Sequence, residues 1–239
     1  MSVQAIVRCT LFAGACLCCA APLSAQQDVS AAERALFVDK HLDALRPPVT
    51  LHYDYRKTGS LEAPFDDSVD VLLAALPGGG CCSASAQFLH GERAVRPPVI
   101  DDVQGNPAIL YFLERDIREM QRLAKGQANH FRQRIRLALA QSAVIRDIKL
   151  PYHGSEVAVR EISIKPYLND PHRARYEKLA NKQYIFMLSS QVPGGLYGIR
   201  TRIAGDSAQA PPLMIEEMML SDAEKASVRR QSAPVTEPK

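Results

Sequence analysis

The sequence predicts an α+β fold, with a curved, mainly antiparallel sheet of about eight strands and two or three helices packed on one of its faces. Three observations lead there. Short segments alternate apolar and polar residues, glycine- or proline-marked turns separate them, and a few stretches recur at helical spacing instead. Short turns favour antiparallel neighbours, because parallel strands need long crossovers. No internal repeat and no linker divides the body, so one domain is expected over residues 26–220.

The ends are read separately. Arg8 is the single charge in residues 1–25, residues 9–23 are almost wholly apolar or small, and the segment closes Pro22-Leu23-Ser24-Ala25. That is the pattern of a secretory leader, and its apolar run falls short of the roughly 20 residues a membrane span needs. Ala13-Gly14-Ala15-Cys16 partly matches an acylation box, which leaves a lipoprotein anchor as the alternative. A periplasmic or secreted protein is expected, with no transmembrane span after leader removal. Residues 221–239 turn polar and read as a disordered tail.

Each element of the body has its own signal. Ser30-Ala31-Ala32-Glu33 is a capping box, and Leu36, Phe37, His41, Leu42 and Leu45 then follow at helical spacing until Pro47-Pro48. In 50–55, Leu51, Tyr53 and Tyr55 share one strand face, with His52 and Asp54 on the other. Strands at 69–76 and 82–89 are joined by Pro77-Gly78-Gly79-Gly80 as a hairpin-like turn.

Asn106-Pro107 opens the strongest helix, with an N-cap followed by a proline that gives up no needed donor. Its expected apolar stripe is Leu110, Leu113, Ile117, Met120 and Ala124. Glu114/Arg118 and Arg115/Glu119 lie on the wetter side, and Gly126 is the terminating glycine. After it the period reads as two, with Phe131, Gln133, Ile135, Leu137 and Leu139 on one strand face and Arg132, Arg134 and Arg136 on the other. Further strands are expected at 144–150, 156–165, 182–189, 196–203 and 213–220, and a short helix at 171–180.

Charge and motifs exclude several functions. The chain has 29 basic and 26 acidic residues, a formal net charge of +3, and no charged block, so nucleic-acid binding is not expected. His41, His52, His90, His130, His153 and His172 are scattered without metal-ligand spacing. Met187, Met214, Met218 and Met219 read as core fillers rather than copper ligands. No metal and no cofactor is expected. There is no nucleophile elbow and no phosphate loop.

Two features remain. Arg132, Arg134 and Arg136, with Arg200 and Arg202 alternating on a later strand, would give a five-cation surface if the two strands were neighbours. Such a row suits a carboxylate, a phosphate or a lipid headgroup, and the competing reading is a solvated face with cross-strand acid partners. Cys81 and Cys82 are the two cysteines outside the leader. A vicinal disulfide, an intermolecular bridge and two buried thiols all stay open for them, while redox catalysis is disfavoured because the two-residue spacer is missing.

With its leader, its antiparallel strand order and patterns such as 184–189 followed by Val192-Pro193-Gly194-Gly195, the chain is similar to the periplasmic lipoprotein-carrier and lipoprotein-receptor superfamily. That resemblance implies a curved half-barrel holding acyl chains. The chain differs from it in having no tryptophan, few aromatics and a long central helix, and no site residue carries over. The function expected is an exported non-enzymatic binding protein for an amphiphilic or anionic ligand, such as a lipid, or for an envelope protein partner. An envelope enzyme of unrecognised type and a structural subunit of an envelope assembly are the alternatives.

Overall fold

A computed structural model describes residues 29–78, 81–207 and 209–221. The segment read as a leader, Gly79 and Gly80 of the turn, and the polar tail beyond Ser221 lie outside them. The chain is α+β. Eight antiparallel strands form one open sheet: β1 (Val49–Gly59), β2 (Phe65–Ala74), β3 (Ser83–Phe88), β4 (Val144–Tyr152), β5 (Ser155–Ile164), β6 (Gln183–Leu188), β7 (Leu196–Ile203) and β8 (Met214–Leu220). Their spatial order is β3-β2-β1-β8-β7-β6-β5-β4, so an N-terminal meander and a C-terminal one meet where the first strand pairs with the last.

Alternation explains which face each strand buries. Leu51, Tyr53 and Tyr55 of β1, Val69, Val71 and Leu73 of β2, Tyr184 and Phe186 of β6, and Met214 and Met218 of β8 all enter one core. Helices α2 (Pro107–Ala124) and α3 (Ala128–Gln141) add Phe112, Ile117, Met120, Phe131 and Ile135 to that core. The β4–β5 hairpin turns on His153 and Gly154, both at positive φ, as a two-residue antiparallel connection requires.

Several expectations are corrected. Residues 131–139 are not a strand but the middle of α3. Phe131, Ile135 and Leu139 are spaced four apart and therefore satisfy a helical stripe as well as alternation. The first helix keeps its capping box, with Ser30 Oγ accepting from the Glu33 N–H at 3.1 Å and Glu33 accepting from the Ser30 N–H at 3.1 Å. It is short, however: α1 (Ala31–Glu33) passes into a π-turn (Arg34–Val38) that ends at extended Asp39, leaving Phe37 exposed. The short helix at 171–180 is a pair of 3₁₀ turns, Arg173–Arg175 and Glu177–Asn181. On α2, Leu110 faces out rather than in, and Lys125, not Gly126, takes the left-handed conformation at the C-terminus. Gly126 is needed for another reason: a Cβ there would lie 2.5 Å from the Phe131 ring.

Candidate functional site

Two flanks of α2 carry the chemistry, and a buried polar row lies between helix and sheet. The row follows from register. Lys57 of β1 stands opposite Glu216 of β8, which stands opposite Thr201 of β7, which stands opposite Tyr184 of β6. All four occupy core-facing parity and all are buried. From above, α2 lowers Asp116 and Arg115 onto them. Asp116 accepts from Lys182 Nζ and from the Tyr184 hydroxyl at 2.6 Å. Glu216 accepts from Tyr55 OH at 2.7 Å, Thr201 Oγ1 at 3.2 Å and Arg115 at 3.2 Å, with Lys182 Nζ at 3.5 Å and Lys57 Nζ at 3.7 Å.

Burial alone would raise the Glu216 carboxyl, but the cations of Lys182, Arg115 and Lys57 outweigh it and hold that group below the usual carboxylate range. For Lys182, burial opposes the charged form, while Asp116 and Glu216 hold the ammonium above its ordinary value. Burial pushes the Tyr55, Tyr167 and Tyr184 phenols well up, and the neighbouring carboxylates push the same way. Sequence reasoning missed this row because it took Arg115 as wet and ended the first strand at residue 55, short of Lys57. The signal was present in parity: Lys57 continues Leu51-Tyr53-Tyr55, and Glu216 lies between Met214 and Met218.

The five arginines read from the sequence are not brought together. On a helix, residues two apart point roughly 200° away from each other, so α3 splits the first three. Arg134 turns toward the core edge, donating to the Pro166 carbonyl at 3.2 Å and pairing with buried Asp170 at 3.2 Å. Asp170 is also held by His130 Nε2 at 2.7 Å. Arg132 and Arg136 share the other side of α3. Arg132 grips Glu114 of α2 through two contacts of 2.9 and 2.8 Å, whereas Arg136 makes no hydrogen bond or ion pair among the described residues. Arg200 and Arg202 lie on the sheet face away from the helices, with Arg200 Nε 2.6 Å from Glu217.

Arg132 and Arg136 border a cleft of about 370 Å³ between the N-terminal turn, α2 and α3. Its floor is apolar: Leu110, Leu113 and Ile117 of α2, Ile135 and Leu139 of α3, and Phe37 from the π-turn. Val29, Phe37, Val38 and Leu110 are each more than a third exposed there, so the cleft leaves apolar surface in water. The volume lies near the lower end of the roughly 300–1,000 Å³ typical of ligand pockets.

His41, by contrast, is committed to the backbone. His41 borders a cavity of about 530 Å³ with Ser189, Asp43 and Gly195. Its Nε2–H donates to the Ala35 carbonyl at 2.9 Å, and its Nδ1 accepts the Asn106 N–H at 3.0 Å. Burial holds the imidazole below its ordinary value, against the opposing effects of the Ala35 carbonyl and Asp39. Both ring nitrogens are thus taken by backbone, and the ring has no free base to offer Ser189. The sulfurs of Cys81 and Cys82 are bonded to each other, and the peptide between the two residues is cis. Among the described residues no group of three or more His, Cys, Asp or Glu is placed to hold a metal ion, and no helix is long and apolar enough to cross a membrane.

No protein family and no curated protein matches the sequence. Among solved structures the chain is similar to the Mycobacterium tuberculosis lipoprotein LppX, at 9% identity and a TM-score of 0.30, over 73% of this chain and 86% of that one. A likeness of that size bears on neither the fold nor the ligand of this chain.

Proposed function

We propose that this chain is an exported, non-enzymatic binding protein for a single-chain amphiphile with an anionic head, held in the cleft between the N-terminal turn, α2 and α3. The observation that carries the reading is an apolar cleft with exposed Leu110, Phe37 and Val38 beside an arginine that has no partner among the described residues. The apolar part of the ligand lies against Leu110, Phe37 and Val38, and its head meets Arg136, with Arg132 available if it releases Glu114. A guanidinium suits carboxylate and phosphate heads alike. The apolar N-terminal segment of the sequence supports an exported site of action.

The experiment is a fluorescence titration with a dansylated undecanoic acid, followed by competition with oleate and with lysophosphatidate. Arg136→Glu is expected to weaken binding by about tenfold or more, the loss of one charge-assisted contact. Leu110→Asp, at an exposed position, is expected to weaken it as well. Binding that neither variant changes sinks the proposal, as does no binding at all. The two competitors report which head is preferred.

A further inference from the structure

The opposite flank of α2 holds a cavity of about 510 Å³ whose polar lining is mostly cationic. Arg115, Arg118 and Arg122 come from one helical stripe at spacings of three and four. Lys57 rises into the cavity from β1, only 4% exposed, and Arg93 closes one side with its guanidinium 4.3 Å from the Phe65 ring centre. The remaining wall is apolar, from Phe65, Leu89 and Val95. Leu89 sits at φ 61°, a conformation a bulky residue rarely adopts, and such strain concentrates at ligand sites.

A carboxylate of the protein already occupies this cavity. Glu62, in the loop between β1 and β2, accepts from Lys57 Nζ through one oxygen and from Arg122 through the other. Its loop leaves the sheet at Gly59, where φ is +122° and a Cβ would collide with the Leu213 carbonyl. The Ser60 and Leu61 N–H groups both donate to that same carbonyl at 2.9 Å. Glu62 is therefore presented by a short strap to two cations, in the way a bound anion would be. Other carboxylates face the cations from behind or beside: Glu216 beneath Arg115 and Lys57, Glu119 beside Arg122 and Lys57, Asp67 3.5 Å from Arg93, and Glu114 near Arg118. Arg118 alone of the five cations makes no hydrogen bond or ion pair among the described residues, leaving its donors for a ligand.

We propose that this cavity is a second binding site, for a compact oxyanion (phosphate or carboxylate) carried on a small apolar body, and that Glu62 is an internal stand-in which the ligand displaces. The apolar body rests on Phe65, Leu89 and Val95, and the oxyanion takes the place of the Glu62 carboxylate between Lys57 and Arg122, with Arg118 joining it. A tethered carboxylate competes at an effective concentration in the millimolar range, so the intact strap holds affinity down.

The test is calorimetric titration of the full chain with phenyl phosphate, benzoate and inorganic phosphate at constant ionic strength. Glu62→Ala is expected to bind phenyl phosphate or benzoate about tenfold or more tightly than the parent chain. Adding Arg118→Gln or Arg122→Gln is expected to abolish that gain. The isosteric Glu62→Gln serves if the alanine variant folds poorly. Phenyl phosphate against benzoate tells which oxyanion is preferred, and inorganic phosphate tells whether the apolar wall contributes. No gain in either Glu62 variant, or a gain that survives loss of both arginines, overturns the proposal. Arg136→Glu, in the other cleft, is expected to leave these titrations unchanged, so the two sites stand or fall separately.

Discussion

Lys182→Met is expected to lower the melting temperature by about 6–20 °C. The substitution leaves Asp116 buried with its Tyr184 hydrogen bond but without its cation, and removes one of the three cations around Glu216. Breaking a buried pair from one side costs about 3–5 kcal/mol, and in a domain of this size each kcal/mol moves the transition by about 2–4 °C. Lys182→Met combined with Asp116→Leu is expected to recover a substantial part of the loss, because the two charges leave together and the Tyr184 hydroxyl keeps its contact with Tyr167 at 3.0 Å. Circular-dichroism melts of the parent, single and double variants read this directly. A single variant within about 2 °C of the parent would show the pair to be solvated.

The same network gives a pH dependence. Glu216 is held below its ordinary value of 4.5 in the folded chain, so its contribution is complete above that value and is lost as pH falls through it toward the folded one. Urea unfolding from pH 7 down to pH 3 is expected to show falling stability. Glu216→Gln is expected to be less stable at pH 7 and to show a shallower fall in acid.

Asn106→Ala is the second large loss, of about 2–4 kcal/mol. The side chain does three things from a buried position. Its oxygen accepts the Ala108 N–H at 2.9 Å and so caps α2, while its amide donates to Tyr53 OH at 2.9 Å and to the Gly194 carbonyl at 2.7 Å. Alanine loses a cap worth about 1 kcal/mol and strands a buried carbonyl and a buried phenol. Asn106→Ser is expected to recover about 1 kcal/mol, since a hydroxyl caps the helix but cannot reach the other two partners. Urea midpoints at constant slope separate these cases. Gly194, at φ 70°, accommodates the amide only as glycine, because a Cβ would sit 2.6 Å from Leu51 and 2.9 Å from the Asn106 nitrogen.

The N-terminal part of the sheet was legible because β1 and β2 bury alternate residues and leave the others wetter. The tyrosines of β1 and the methionines of β8 fall on the face that alternation assigns them, and Asn106-Pro107 opens α2 as capping chemistry requires. The error at α3 has a physical cause. Phe131, Ile135 and Leu139 satisfy both periods. What separates them is a run of helix formers, Ala, Arg, Gln and Leu, with one β-branched residue and no glycine or proline between Ala128 and Gln141. The cleft was half legible: Arg132 and Arg136 were singled out, but their apolar neighbours come from three separate segments that only tertiary packing assembles. The Glu62 cavity was not, because Arg115 and Arg118 read as ordinary wet-side charges until Lys57, Arg122 and the loop carboxylate are placed against them.

The pairing of β1 with β8 sets the order in which a newly made chain can finish. Tyr53 finds Leu220, and Lys57 finds Glu216, only after nearly the whole body has been synthesised. Until then the first meander carries an ammonium on its core face with no Glu216 opposite it, and α2 carries Asp116 without Lys182. Lys57 can pair with Glu62 of its own meander, but the Glu216 end of the buried row is missing until β8 arrives, and long-range pairings of this kind form slowly. The last strand made is the one that joins the two meanders into a single sheet.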